Sequence, residues 1–174
     1  MSRALFPILA LCAAALAAAP PAVGRERGLQ VGAAAPEFLI DTLDGISMTS
    51  DFHGKPAYIN VFATWCPPCR RELPAIVQRA KQYRDRVVFL FVDEQEPSSR
   101  VKSFASTFGV TPVAVDLGQF GATFNVQGLP ESIFIDRHGV VRSVYRGTIP
   151  DDVLAGELAA LVSDSASLAI TEPR

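Results

Sequence analysis

Hydrophobic positions along the chain alternate between two rhythms. Ala57 to Phe62 is a continuous apolar run interrupted only by Asn60, and Val87 to Val92 is another. Runs of this kind fit strands buried on both faces, as in a parallel sheet. Between and after them the spacing becomes helical. Leu73, Ile76, Val77 and Ala80 predict a helix from about residue 66 to Tyr83, with a kink at the internal Pro74. Val101, Phe104, Ala105 and Phe108 predict a second helix that starts near Ser98 and stops at Gly109. Val113 to Val115 is a third parallel-strand candidate, and Gln119 to Phe124 a short helix. Ser132–Ile135 and Val140–Arg146 flank Asp136-Arg137-His138-Gly139, whose glycine can take the positive φ of a tight hairpin. Leu154, Leu158 and Leu161 give Asp151 to Val162 the inward face of a closing helix, with 163–174 as a flexible tail. Near the other end, Glu37–Ile40 and Ile46–Thr49 flank the turn-forming Asp44-Gly45, an N-terminal hairpin. Strands alternating with helices and ending in a hairpin make an open α/β sheet with helices on both faces.

Composition bounds this picture. With 174 residues, 49% of them hydrophobic and 20% charged, the chain suits one globular domain. A formal charge of −2 and a pI near 5.7 argue against nucleic acid as a partner, and Arg70-Arg71 is too small a cluster to change that. Residues 1–24 differ from the rest. Arg3 precedes a mostly alanine stretch broken by Pro7, and Pro20-Pro21-Ala22-Val23-Gly24 follows. A charged start, an apolar middle and small residues at the end describe a signal peptide. The alternative is a retained N-terminal anchor, but the apolar part falls short of the ~20 residues a spanning helix needs. Cleavage would remove Cys12 and leave a domain over 25–162 carrying two cysteines, an economy suited to an oxidising compartment.

Those two cysteines form Trp65-Cys66-Pro67-Pro68-Cys69, placed where the Ala57–Phe62 strand gives way to a helix. Two thiols at this spacing can exchange two electrons as dithiol and disulfide. Unpaired N–H groups and the dipole at a helix start stabilise a thiolate on Cys66, which makes Cys66 the attacking residue. Cys69, one turn later, is placed to resolve the mixed disulfide. A structural zinc site would need four ligands, and beyond this pair there are only Cys12, His53 and His138. A purely structural bridge closing so short a loop would remove little chain entropy. Redox chemistry is the reading that remains, with no metal and no cofactor beyond the Cys66–Cys69 disulfide.

Three ordered motifs carry a resemblance over nearly the whole of residues 25–162. They are Gly32-x-x-x-Pro36-x-Phe38, the stretch from Asn60 through Cys69 to Glu72 and Pro74, and Gly128-Leu129-Pro130-Glu131-Ser132-x-Phe134-Ile135-Asp136. Their order and spacing resemble the thioredoxin fold, and more narrowly the exported TlpA/ResA-type thiol-disulfide oxidoreductases and their CcmG/DsbE-type relatives in cytochrome c maturation. The resemblance implies a thioredoxin-like central mixed sheet. The interval between Cys69 and Pro130 exceeds the ~30 residues of one βαβ unit, which fits an inserted strand–helix unit. It also implies roles. Cys66, Cys69 and Glu72 are the catalytic residues, Glu72 exchanging a proton with Cys69 from the same helix face. Trp65, Pro67, Pro68, Leu129 and Pro130 meet the substrate. Pro130 matches a cis-proline that lets Leu129 pair its backbone with a substrate strand. Asn60 stands where cytosolic thioredoxins have a buried aspartate, and an amide cannot carry the proton. Phe62, Glu131 and Ser132 are small departures that bear on the partner.

The function expected is a periplasmic, or otherwise extracytoplasmic, thiol-disulfide reductase for exported proteins, with apocytochrome c or copper-site maturation proteins as candidate substrates. The implied electron source is a membrane donor of the DsbD/CcdA type, because the periplasm has no reducing buffer. A monomer is expected. Two other functions use the same thiols. A Cu(I)-binding chaperone would suit soft thiolates, though no Met or His cluster accompanies them. A thiol peroxidase would match the Gly32-to-Phe38 motif, though Phe62 and Ala63 stand among the residues where its proline and threonine belong.

Overall fold

A computed structural model describes residues 29–48 and 54–169. The N-terminal segment 1–24 with Cys12, the end of the second predicted strand at Thr49, His53 and the last tail residues lie outside the described residues.

Among the described residues, seven strands form one sheet in the order β2-β1-β5-β4-β3-β6-β7. These are β1 (Leu39–Thr42), β2 (Gly45–Met48), β3 (Ala57–Phe62), β4 (Val88–Glu94), β5 (Val113–Asp116), β6 (Glu131–Ile135) and β7 (Val141–Arg146). The helices are α1 (Pro67–Tyr83), α2 (Ser98–Phe108), α3 (Gln119–Phe124) and α4 (Asp151–Ala169). β3, β4 and β5 run parallel, and β6 joins β3 antiparallel. The architecture is therefore the thioredoxin-like mixed α/β sheet that the sequence implied.

The topology explains which helix covers which face. β3, β4 and β5 follow each other across the sheet in one direction, so right-handed crossovers put α1 and α2 on the same side. The next connection returns past β4 and β3 to reach β6, and its helix α3 covers the opposite face. Alternate residues of β3 serve the two cores: Tyr58 and Phe62 pack with Leu73, Ile76, Phe104, Leu154 and Leu158, while Ile59 and Val61 pack with Phe120 and Phe124. All six residues of β3 are buried, as its continuous apolar run predicts.

Several boundaries differ from the sequence expectation. The first hairpin turns on Leu43-Asp44 rather than Asp44-Gly45, because Thr42 pairs with Gly45, and β1 is displaced to Leu39–Thr42. β4 continues past Val92 to Glu94 and buries Asp93 completely, which an apolar pattern cannot forecast. The helix α1 runs on both sides of Pro74, which is exposed on its surface. The tail expected from residue 163 is helical to Ala169, although Ser163, Asp164, Ser165 and Ser167 are weaker helix formers than alanine. Gly109 stops α2 in the left-handed conformation at φ 69°, as expected. Among the described residues no helix is long and apolar enough to cross a membrane.

Candidate active site

The site lies where β3 ends, beyond the carboxyl edge of the parallel strands, the usual place for chemistry in an open α/β sheet. Cys66 is the N-cap of α1, with an extended backbone at φ −78° and ψ 109°. Pro67 and Pro68 occupy the first two helical positions, where the missing N–H groups would have had no intrahelical partner. The first free amide of the helix is therefore that of Cys69, and it donates to Cys66 Sγ at 3.3 Å. This is an N-cap interaction with sulfur as the acceptor, and it favours negative charge on Cys66 once the bond is reduced. In this structure the pair is a disulfide with Cα atoms 5.3 Å apart.

Access is one-sided. Cys69 is fully buried and Cys66 is 3% exposed, while the preceding Trp65 is 62% exposed and Pro67 stands in solvent beside it. Pro68 is half-buried. The Leu129–Pro130 bond is cis, as the resemblance implied. Pro130 is buried, and the half-buried Leu129 packs against the core cluster that contains both cysteines. A second cis bond, Thr111–Pro112, was not anticipated.

Glu72 is buried, at 6% exposure, on the same helix as the cysteines. Its two oxygens are held from different elements. Asn60 Nδ2 on β3 donates to Oε1 at 3.2 Å, and the Ile149 amide before α4 donates to Oε2 at 2.9 Å. Burial pushes its carboxyl up to about 7, against the lowering effect of the two hydrogen bonds. Near neutral pH it can both take and return a proton, which an ordinary surface glutamate cannot do. Asn60 and Glu72 thus form one unit. Asn60 Oδ1 is buried and has no hydrogen-bond partner among the described residues. Next to it, Tyr58 hydroxyl and Ser132 Oγ lie 2.8 Å apart, and burial holds the phenol above its ordinary range.

Three further acidic residues near the site carried no clear sequence signal. Glu131, the residue after Pro130, is fully buried and faces Arg146 Nε at 3.3 Å. Burial raises its carboxyl despite Arg146. Asp93 and Glu96, at the end of β4 and in the turn beyond it, are also buried. A pair of acids after a strand looks like a solvated turn in sequence, and only the packing shows that the turn folds inward over Thr64.

Comparison with known proteins agrees with this chemistry. Residues 30–160 match the Redoxin family. The chain is 35% identical over 130 residues to the thioredoxin-like protein YneN of Bacillus subtilis, covering 72% of this chain and 76% of that protein. It is 34% identical over 140 residues to the thiol-disulfide oxidoreductase ResA of Geobacillus kaustophilus, covering 78% and 80%. Among solved structures, a thiol:disulfide interchange protein of the thioredoxin family from Chlorobium tepidum superposes with a TM-score of 0.70 at 30% identity, covering 76% of this chain and 98% of that one. With a disulfide capping its helix, a thioredoxin-like sheet beneath it and relatives of this kind, the chain belongs to the Redoxin family and is a thiol-disulfide oxidoreductase of the ResA type.

Proposed function

We propose that this oxidoreductase works in the reducing direction, as an exported reductase of disulfides in other exported proteins. The observation that carries the proposal is Glu72, a buried carboxyl poised near neutral pH one turn beyond Cys69. The Cys66 thiolate attacks one sulfur of the substrate disulfide, forming a mixed disulfide and releasing the other substrate sulfur as a thiolate, which takes up a proton. Cys69 then gives its proton to Glu72 and attacks Cys66 Sγ. That step closes the Cys66–Cys69 bond and releases the second substrate sulfur as a thiolate, which takes the proton held by Glu72. Two electrons have passed from the enzyme to the substrate, with one proton from Cys69 by way of Glu72 and the other from solvent. A buried thiol such as Cys69 needs a nearby base for this step, because burial disfavours its thiolate.

Trp65, Pro67, Pro68, Leu129 and Pro130 form the proposed substrate surface, with Leu129 offering backbone to an extended segment. Export rests on the charged start, apolar middle and small-residue end of residues 1–24. A reductase placed outside the cytoplasm must be recharged through the membrane, so a donor of the DsbD/CcdA type is part of the proposal. Apocytochrome c and copper-site maturation proteins are the proposed substrate class. The test is trapping with Cys69→Ser, which stops turnover at the mixed disulfide on Cys66. Recovery of exported cysteine-pair proteins linked to Cys66 supports the reading. Failure of the wild-type dithiol to reduce any protein disulfide, insulin included, would refute it.

A further inference from the structure

The loop that delivers Cys66 is gripped at one residue. Thr64 is 7% exposed, and each of its three hydrogen-bonding groups is held by a charged side chain. Its amide donates to Glu96 Oε2 and its hydroxyl donates to Glu96 Oε1 at 2.7 Å. Its carbonyl accepts from Arg70 Nη1 at 3.0 Å. Glu96 comes from the turn between β4 and α2, Arg70 from α1, so the loop is held between two elements. Arg70 is itself fixed, its guanidinium carbon 5.3 Å from the ring centres of both Phe104 and Phe108.

The turn that presents Glu96 is equally constrained. The Glu96 amide donates to Asp93 Oδ1 at 3.2 Å, and the Gln95 amide donates to the Asp116 carbonyl at 3.1 Å. Gln95 sits in the left-handed region at φ 62°, an unfavourable conformation for a residue with a side chain, so the surrounding contacts must enforce it. Arg100 Nη1 lies 3.4 Å from Glu96 Oε1.

We propose, on the reading of Cys66 as the attacking thiol, that Glu96 and Arg70 are positioning residues whose clamp on Thr64 fixes Trp65 and Cys66 for attack on a protein disulfide. The clamp uses both Glu96 oxygens on one residue, which fixes direction as well as distance. Trp65, directly after Thr64, is thereby a rigid aromatic surface in solvent, and Cys66 is kept at the N-cap of α1, where the Cys69 amide meets its sulfur. The protonation of the acidic pair suits the task. Burial pushes Asp93 up to about 8, helped by Glu96, so Asp93 holds a proton near neutral pH. Burial acts most strongly on Glu96 and raises it, but the hydrogen bonds from the Thr64 hydroxyl and amide, from Asp93 and from Arg100 together lower it, which favours the anion, the form that accepts both Thr64 bonds.

Trp65 is the single tryptophan of the chain, so intrinsic fluorescence reports on this loop alone. Thr64→Val keeps the side-chain shape and deletes the hydroxyl donor. The expected result is a fall of at least a third in Trp65 fluorescence anisotropy in the oxidised protein, and at least a threefold slower alkylation of Cys66 at pH 7 in the reduced protein. Thr64→Ser, which restores the donor, should recover most of both. Arg70→Met releases the loop from the exposed side, where folding is not at stake, and should lower the anisotropy in the same way. Glu94→Gln removes a neighbouring charge outside the clamp and serves as the control for field effects. Unchanged anisotropy and alkylation in both Thr64→Val and Arg70→Met would overturn the proposal, as would an equal effect of Glu94→Gln. Neither readout needs a substrate. A wild-type protein inactive on protein disulfides would therefore refute the proposed function while these measurements still decided the clamp.

Discussion

Glu72→Gln separates the charge of this residue from its packing. The wild-type carboxyl lies at about 7 in the folded protein and near 4.5 as a free side chain. The folded state therefore binds a proton more tightly than the unfolded one. Stability from that proton is fully present below about pH 4.5 and is lost as pH rises through about 7. At roughly 1.36 kcal/mol per pH decade, the displacement makes ionisation in place cost about 3 kcal/mol at pH 8. Glutamine carries no charge at any pH. Its amide oxygen can accept from Ile149, and its amide nitrogen can donate to Asn60 Oδ1, which has no partner among the described residues of the wild type. The variant should match the wild type near pH 4.5 and exceed it by up to about 3 kcal/mol at pH 8. Urea unfolding of the oxidised proteins at pH 4.5, 6, 7 and 8 measures the difference, and other titrating groups such as Asp93 cancel in it. The gain should come with a loss, since the variant has no base for Cys69, and its pH–rate profile for disulfide reduction should lack the inflection near 7. A difference that does not vary with pH, or a variant less stable than the wild type at pH 8, would refute the assignment of Glu72 as a buried titrating carboxyl.

Two further outcomes follow from the same burial and capping arguments. In the reduced protein, iodoacetamide at pH 7 should modify Cys66 about tenfold faster than the fully buried Cys69, as peptide mapping after short exposures would show; equal rates would remove the N-cap from the account of reactivity. Arg146→Met leaves Glu131 buried without its ion-pair partner and should cost about 1–3 kcal/mol at pH 8 in urea unfolding, a cost that shrinks towards pH 4 as Glu131 takes up a proton, while adding Glu131→Gln should restore most of the stability.

The sequence alone was sufficient for whatever rests on local patterning. The β3 run, the helical spacing of Leu73, Ile76 and Val77, the stop at Gly109 and the placement of Cys66 at a helix start are all local, and each appears where the spacing puts it. Side-chain period and capping chemistry act over a few residues, so a single chain displays them directly. The groups that tune the site were decided by tertiary structure. Glu72 meets the amide of Ile149, 77 positions away, and Thr64 meets Glu96 across 32. Asp93, Glu96 and Glu131 are acidic residues that composition assigns to the surface, yet the closing of the sheet buries all three. Burial and long-range hydrogen bonds set a carboxyl's proton affinity, and neither is a property of the residue or its neighbours in sequence. The cysteines could be named from their spacing; the buried setting of Glu72 and the hydrogen bonds that hold Thr64 exist only once distant strands and helices have packed together.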